Sequence, residues 1–267
     1  MGLTTLLGGK PRGFFIPHRY ADQALRCAYP ALEAVFAACW STFEQVLAEI
    51  DALAPELRRL GGPAPAPRFD QDWFPALDAA AAYAMVCGLE PRRIVEVGSG
   101  HSTRFLARAI ADRGLATALL CIDPEPRAAL DGLPVRWLKT TLQHVPENCF
   151  TGLRAGDLLF IDSSHILMPG TDVDWLLNRI LPALARGVLV HVHDIFLPDP
   201  YPQAWAWRGY NEQQAVAALL QGGGYAIRFA SHYVASRRPD RLAAGVLAQL
   251  PHGLDGLASS LWLEKRF

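Results

Sequence analysis

Residues 94–105 read IVEVGSGHSTRF, and this stretch gives the clearest indication of the fold. Its apolar opening is typical of a buried strand, while Ser102 and Thr103 are residue types that cap the start of a helix. Between them, Gly98 and Gly100 allow the backbone to approach a ligand closely, and the start of a helix favours an electron-rich group. The stretch therefore predicts a strand, a ligand-binding turn and a helix.

A carboxylate follows the next apolar run at a spacing that suits a nucleotide-like ligand. The segment LLCIDP contains Asp123, which lies 23 residues after Gly100. From this position a carboxylate can accept hydrogen bonds from ribose hydroxyls. Thr103 occupies the place where the dinucleotide fingerprint has a third glycine or alanine, which argues against NAD. A simple Asp-Pro turn is the alternative for Asp123.

Apolar runs and amphipathic stretches alternate along most of the chain. They predict helices at 75–87, 102–113, 172–185 and 211–221, and strands at 94–97, 118–122, 135–138, 158–161 and 188–193. Such alternation predicts an α/β fold with a doubly wound, mostly parallel sheet covered by helices on both faces. Two further strands, at 224–233 and 260–267, have no clear crossover helix between them. We expect them to form an antiparallel pair at the sheet edge.

The beginning of the chain differs from the rest. Residues 20–60 repeat apolar side chains, starting at Leu25, at spacings of three and four, which predicts helices. Pro30 is expected near a helix start or a break. The GGPAPAP stretch that follows has the composition of a semi-rigid linker. We therefore predict a helical N-terminal extension with its linker over 1–67 and a main domain over 68–267.

Composition limits the classes of function. Apolar residues make up 51% of the chain, enough for a sizeable core, and the formal net charge of −1 argues against nucleic acid and membrane partners. The five cysteines are scattered, so we expect free thiols in a reducing cytoplasm. The sequence has neither a signal-peptide pattern nor an apolar run of about 18 residues that could span a membrane. We therefore predict a cytoplasmic protein whose main partners are neither nucleic acid nor membrane.

Titratable side chains follow two consecutive predicted strands. Asp162 and His165 come after the fourth strand, and His193 and Asp194 end the fifth, in the stretch VLVHVHDIF. Neighbouring strands lie about 4.8 Å apart, so both carboxylates are expected at the sheet edge where ligands bind. Two carboxylates this close repel unless a proton or a cation separates them, and a divalent cation is the simplest answer. His191 is expected to face a polar neighbour within the sheet.

Four motifs together resemble those of the class I S-adenosylmethionine-dependent methyltransferases: EVGSGHST, IDP, DLLFIDSSH and GVLVHVHDIF. The resemblance covers residues 70–267 and implies a seven-stranded Rossmann-like sheet whose last strand pair includes a reversed strand. It also implies a pocket for S-adenosylmethionine, with the loop after the third strand lying against the adenine. The residues that it assigns to the cofactor are Glu96, Gly98, Ser99, Gly100, Asp123 and Gln143.

The Asp-x-x-His spacing, followed by a pair of possible metal ligands on the next strand, is similar to that of metal-dependent sugar O-methyltransferases. The similarity implies that Asp162 and Asp194 bind a metal ion and that His165 is the general base. His193 stands where that family has glutamate, and we include it as a third ligand. The expected cation is Mg²⁺, Mn²⁺ or Fe²⁺. The expected reaction is O-methylation of a small metabolite or a sugar hydroxyl.

A long loop over 197–214 follows the histidine-bearing strand. Flat aromatic side chains with one polar atom suit stacking on a sugar or an aromatic acceptor, and long loops are often lids or binding surfaces. Asn211 and Glu212 open the next helix and are expected to reach the same cleft. A hydrophobic cover for the sheet edge, or a homodimer contact, is the alternative. The aromatic residues of this loop are Tyr201, Trp205, Trp207 and Tyr210.

Two other classes of function stay open from the sequence. Two histidines and a carboxylate can form the facial triad of a non-haem iron oxygenase. Such triads usually lie on antiparallel barrels, whereas this chain has an α/β pattern with a nucleotide-type turn. The other alternative is a cofactor-binding fold without catalysis that acts through its N-terminal helices.

Overall fold

Seven strands form a single sheet in the computed structural model, which describes residues 2–9, 13–14, 16–252 and 256–267. The strands are β1 (Arg93–Val97), β2 (Ala118–Ile122), β3 (Arg136–Leu138), β4 (Leu158–Ile161), β5 (Leu189–Val192), β6 (Tyr225–Ala230) and β7 (Leu261–Lys265). Their spatial order is β3-β2-β1-β4-β5-β7-β6. The first five strands in this order are parallel, whereas β7 runs antiparallel to both β5 and β6. The predicted fold class and the reversed strand are confirmed.

Helices connect most of the parallel strands and cover the sheet. They are α1 (Gly2–Leu6), α2 (Pro30–Ala38), α3 (Trp40–Ala52), α4 (Ala54–Leu57), α5 (Ala76–Leu89), α6 (His101–Asp112), α7 (Asn148–Thr151), α8 (Asp172–Trp175), α9 (Leu181–Ala183), α10 (Glu212–Gln221), α11 (Ser231–Arg237) and α12 (Pro239–Ala243). Short 3-10 segments lie at Ala21–Gln23, Leu142–His144, Gln203–Arg208 and Val246–Gln249, and a π segment at Leu176–Ile180. None of the helices in the described residues is long and apolar enough to cross a bilayer.

The order of the strands sets the position of the site. From β1 the chain builds outward through β2 and β3, then returns to place β4 on the other side of β1. The loops after β1 and β4 therefore leave the sheet in opposite directions and open a crevice at its carboxyl edge. In open α/β sheets ligands bind in this crevice. The strands at its centre are buried at every position except Arg93, the first residue of β1, and this burial anchors the loops above them.

Three predicted elements differ from the structure, one because of strand pairing and two because of prolines. The strand predicted over 224–233 ends at Ala230, because β7 pairs with β6 only as far as this residue, and α11 begins immediately afterwards. The stretch predicted as one helix over 172–185 is divided by the π segment, near Pro182, which lacks a backbone donor. Leu25 is 89% exposed and precedes α2, which begins at Pro30 because a residue before proline disfavours helical backbone.

The apolar side of α2 and α3 packs against the sheet. Phe36 and Phe43 are completely buried and belong to the same hydrophobic core as the strands. The ring of Phe43 lies 5.9 Å from that of Phe229 in β6. The segment before α2 is tied to the loop after β5, since the Tyr29 amide donates to the carbonyl of Pro198. The division of the chain at residue 67 stays a prediction.

Candidate active site

The turn after β1 requires glycine. Gly98 has φ +81°, and a Cβ atom at this position would overlap the carbonyl oxygen of Asp162 in the loop after β4. The two loops approach this closely because β1 and β4 are hydrogen-bonded neighbours. The Asp162 amide also donates to the carbonyl of Val97, 2.8 Å away. The turn and the start of the β4 loop therefore form one rigid unit.

Glu96 braces the turn from within the protein. Its carboxylate is completely buried and accepts hydrogen bonds from the hydroxyls of Ser102 (2.7 Å) and Thr103 (2.6 Å) and from the thiol of Cys121 (3.3 Å). Burial raises the pKa of Glu96 to about 7. The Gly100 amide donates to the Thr103 hydroxyl at 2.9 Å, which completes the start of α6. Glu96 and Gly100 thus shape the turn but do not line the adjoining cavity.

A cavity of about 770 Å³ opens beside this turn. Asp123 is part of its wall and accepts hydrogen bonds from the amides of Ser99 (2.6 Å) and Glu125 (2.7 Å). A carboxylate has further lone pairs, so Asp123 can support the turn and bind a ligand together. The Ser99 hydroxyl is buried without a hydrogen-bond partner in the described part of the chain. Of the residues predicted to contact the cofactor, this cavity is bordered by Gly98, Ser99, Asp123 and Gln143.

Two aspartates and two histidines meet where β4 and β5 end. The register of these strands places Asp162 beside His193, whose amide donates to the last carbonyl of β4. The Nε2 atom of His165 lies 3.3 Å from Asp162 Oδ1 and 3.4 Å from Asp194 Oδ2. The Nδ1 atom of His193 lies 3.4 Å from Asp162 Oδ1 and 3.5 Å from Asp194 Oδ1. Both aspartates therefore contact both imidazoles.

A buried carboxylate holds the other nitrogen of each imidazole. His165 Nδ1 lies 2.9 Å from Glu212 Oε2 at the start of α10, and His193 Nε2 lies 3.3 Å from Asp78 Oδ2 in α5. Asp78 also accepts hydrogen bonds from the amides of Ser259 and Ser260. The sequence predicted that Glu212 reaches this cleft but gave no role to Asp78. Asp78 could have been noticed as the only acidic residue in an otherwise apolar helix, because a buried carboxylate needs a partner.

The backbone of this cluster is strained at two residues. His165 has φ +60° and Asp194 has φ +57°, in the left-handed region that residues with a Cβ rarely adopt. Such a conformation costs about 1–2 kcal/mol and tends to occur at functional sites. It directs both side chains towards Asp162, which indicates that the fold maintains the cluster at a cost in stability.

The electrostatics of the cluster favour ionised groups. Burial would lower the pKa of His165, but its hydrogen bonds to carboxylates and the charge of a third outweigh burial and raise that pKa well above its usual value. Burial acts on His193 in the same way and is also outweighed, so its pKa is raised. Burial would raise the pKa of Asp162, but the two imidazoles hold it below its usual value. The cluster thus concentrates both signs of charge.

His191 belongs to the core rather than to this cluster. Its ring stacks on Phe160 with 3.7 Å between centroids, and Nε2 lies 2.8 Å from the hydroxyl of Ser260. Burial lowers the pKa of His191 well below its usual value, so the ring is neutral. The expectation that it faces a polar neighbour in the sheet is confirmed.

A second cavity, of about 370 Å³, lies above the cluster. All four members of the cluster border it, together with aromatic side chains from the loop after β5. The ring of Tyr210 lies 4.6 Å from that of His165. Asp162 and Ser163 also border the larger cavity, so the two cavities adjoin at the loop after β4. This volume suits a small organic molecule, since ligand pockets typically measure about 300–1,000 Å³.

The donor set of the cluster is of the kind that binds divalent cations. Carboxylates and imidazoles are ligands for Mg²⁺, Mn²⁺ and Fe²⁺, and metal-binding histidines usually donate their second nitrogen to a carboxylate or carbonyl. His165 and His193 both have such a partner. In the ranges that the structure describes, no three ligand-type side chains form a preformed metal centre. The four side chains instead pair with one another.

Residues 95–195 match a sequence model of a family described as a methyltransferase domain. The matched segment begins in β1 and ends just after β5, so it contains both the glycine turn and the Asp/His cluster. No curated protein matches the chain in sequence. The match favours a methyltransferase over the iron oxygenase and the non-catalytic fold that the sequence left open.

Several solved methyltransferase structures are similar to the chain. The S-adenosylhomocysteine-bound methyltransferase PaMTH1 of Podospora anserina is 14% identical, with 96% of this chain and 100% of that chain covered and a TM-score of 0.44. An O-methyltransferase of Bacillus cereus in complex with S-adenosylhomocysteine is 14% identical, with 85% and 91% covered and a TM-score of 0.42. The family match assigns residues 95–195 to a methyltransferase domain, and the seven-stranded sheet with its reversed strand is the Rossmann-like methyltransferase fold that the sequence predicted.

Proposed function

We propose that the protein transfers the methyl group of S-adenosylmethionine to a hydroxyl oxygen of a small sugar or aromatic acceptor. His165 is the general base, and Asp162, His193 and Asp194 hold a divalent cation. The observation that carries this proposal is the arrangement of the two imidazoles. Each has one nitrogen on a buried carboxylate and the other facing both aspartates, at the junction of the two cavities.

The larger cavity is proposed to hold the cofactor. Asp123 accepts hydrogen bonds from the ribose hydroxyls, and the turn at Gly98 and Ser99 faces the rest of the molecule. Gln143, whose amide donates to the Gly170 carbonyl at 3.0 Å, lies against the adenine. The residues that would hold the cofactor adjoin the smaller cavity at the loop after β4, since Asp162 and Ser163 border both cavities.

His165 is proposed to remove the proton of the acceptor hydroxyl. In the neutral imidazole of His165, Nδ1–H donates to Glu212 and the lone pair on Nε2 faces the smaller cavity, where it can accept that proton. As it does so, the carboxylate of Glu212 stabilises the imidazolium. A cation held by Asp162 and Asp194 would offset the carboxylate charge that raises the pKa of His165 and would so favour the neutral form. The acceptor oxygen attacks the methyl carbon in line with the carbon–sulfur bond, which breaks to leave the neutral thioether S-adenosylhomocysteine. The proton on His165 passes to solvent when the products leave.

Asp162, Asp194 and His193 would hold the cation, because the Nδ1 atom of this histidine already faces both aspartates. When bound, a divalent cation lowers the pKa of a coordinated hydroxyl and so makes it a better nucleophile at neutral pH. Asp78 orients His193 from behind by holding its Nε2, which leaves Nδ1 directed at the aspartates.

Replacing Asp123 with alanine is expected to weaken the binding of S-adenosylmethionine at least tenfold, or about 1.4 kcal/mol. The variant loses both the ribose contact and the support of the Ser99 amide. Isothermal titration calorimetry measures the change directly. Glu125→Ala is the control, because this residue borders the same cavity but only its backbone contacts Asp123. Unchanged affinity in folded Asp123→Ala protein would exclude this placement of the cofactor.

Replacing Asp162 or Asp194 with alanine is expected to weaken Mn²⁺ or Mg²⁺ binding at least tenfold, since each removes a charged ligand. Calorimetric titration of each metal into chelator-treated protein gives the readout without any assay of turnover. Asp172→Ala serves as the control, because Asp172 accepts hydrogen bonds from Ser164 and lies outside the cluster. Absence of stoichiometric metal binding by the wild-type protein would contradict the metal site.

A further inference from the structure

Four arginine side chains in the described ranges stack on tryptophan rings, and they fall into two groups. The distances from guanidinium carbon to ring centroid are 3.9 Å for Arg208 on Trp205, 4.1 Å for Arg179 on Trp175, 4.2 Å for Arg127 on Trp73 and 4.7 Å for Arg238 on Trp40. Two of them also pair with a carboxylate, Arg179 with Glu147 and Arg238 with Asp240. The other two, Arg127 and Arg208, both border the smaller cavity.

Neither of these two arginines forms an ion pair with a carboxylate in the described part of the chain. Arg208 is the clearer case, because it borders the smaller cavity but not the larger one. Its Nε atom is buried with no hydrogen-bond partner among the described residues, and its other recorded polar contact is to the Tyr210 hydroxyl at 3.4 Å. A guanidinium has five donors in a planar fork that fits carboxylates and phosphates. Those of Arg208 are largely unused.

The position of Arg208 relative to His165, the proposed base, sets how far an acceptor molecule must extend to contact both residues. The guanidinium carbon of Arg208 lies 5.4 Å from the ring centroid of Tyr210, and that ring lies 4.6 Å from the ring of His165. A molecule whose hydroxyl is at His165 can therefore place a second group at Arg208 by extending along the face or edge of Tyr210. The stack on Trp205 keeps the guanidinium in place and limits the conformational entropy lost on binding.

We infer that the acceptor of the proposed methyl transfer carries an anionic group, a carboxylate or a phosphate, which Arg208 binds. This inference rests on the proposed function and names the substrate class of the same site. The anion supplies the negative partner that Arg208 lacks, through charge-assisted hydrogen bonds. Arg127, which borders both cavities, adds positive potential at the junction. The anionic group also keeps the molecule in one orientation, with its hydroxyl at His165 rather than at the mouth of the cavity.

Matched pairs of probe compounds test the inference by binding. In the carboxylate arm, 3,4-dihydroxybenzoate is compared with 3,4-dihydroxybenzamide, and in the phosphate arm glucose 6-phosphate is compared with glucose. Each is titrated into wild-type protein saturated with S-adenosylhomocysteine, with affinity measured by calorimetry or ligand-observed NMR. We expect the anionic member of at least one pair to bind about tenfold more tightly than its neutral partner. The arm that shows the preference distinguishes carboxylate from phosphate.

Arg208→Gln is expected to reduce this preference to less than about twofold, since one charge-assisted contact supplies it. Arg179→Gln is the matched control, because Arg179 also stacks on tryptophan but lies outside the cavity, and it should keep the preference. An equal affinity for the anionic and neutral members of both pairs overturns the inference. So does a preference that survives in folded Arg208→Gln protein. Because S-adenosylhomocysteine affinity is measured separately, a failure of the cofactor site appears as weak loading and not as lost selectivity.

Discussion

Alanine at His165 is expected to lower kcat by about 10²–10⁴, the usual contribution of a general base. The variant lacks the imidazole nitrogen that would accept the proton of the acceptor hydroxyl. The cofactor cavity is unchanged, because His165 does not border it. Turnover is measured as release of S-adenosylhomocysteine with any acceptor that the wild-type protein methylates. The affinity for S-adenosylmethionine should stay within about twofold of the wild-type value.

Two further variants separate catalysis from structural support. Glu212→Gln keeps a hydrogen-bond acceptor at Nδ1 but removes the charge that stabilises the imidazolium, so we expect a smaller loss and a shifted pH profile of kcat. His18→Ala is the control, because this histidine is exposed and far along the chain from the cluster. Wild-type turnover in folded His165→Ala protein would show that another group removes the proton.

Alanine at Gly98 is expected to disrupt both stability and cofactor binding. The added Cβ overlaps the Asp162 carbonyl, and overpacking of this kind costs about 1–3 kcal/mol or more. The φ angle of +81° adds about 1–2 kcal/mol for a residue with a side chain. Relief of the overlap requires the loops after β1 and β4 to separate, which displaces the wall of the cofactor cavity. Urea unfolding and calorimetry with S-adenosylmethionine measure the two effects.

Gly156→Ala is a matched control for this experiment. Gly156 has φ +84°, nearly the same backbone conformation, but nothing lies within 4 Å of a Cβ built there. In this control, the free energy of unfolding should fall only by the contribution of the positive φ angle, and cofactor affinity should be unchanged. Equal losses of stability in the two variants would mean that the loops after β1 and β4 can separate at no cost.

The sequence was most informative where structure depends on neighbouring residues. The strand–turn–helix unit over 94–105 was predicted correctly, because an apolar run, two glycines and hydroxyl caps act on the backbone within a few residues of themselves. The same holds for the alternation that predicted the sheet class and for the start of α2 at Pro30. The meeting of Asp162 with Asp194 also followed from sequence, since consecutive parallel strands end at one edge.

Other features depended on contacts that no local pattern encodes. Asp78 lies 115 residues before His193, the histidine that it orients. It can do so because folding buries it between the end of β5 and Ser259, which lies just before β7. Glu96 matched a cofactor motif, yet its carboxylate faces inward because two hydroxyls of α6 and a thiol of β2 surround it. The end of β6 at Ala230 depended on the length of its partner strand.

Patterns in the sequence were thus enough to predict the class of fold, the glycine turn and the set of groups at the carboxyl edge of the sheet. These follow from backbone preferences and hydrophobic periodicity, which act over short stretches of chain. The folded structure was needed to show which nitrogen of each histidine faces the cavity and which carboxylates stand behind the histidines. It was also needed to show which arginines at the cavity form no ion pair within the described residues. Those properties depend on distances between side chains that are far apart in sequence, and folding brings them together through the packing of helices on the sheet.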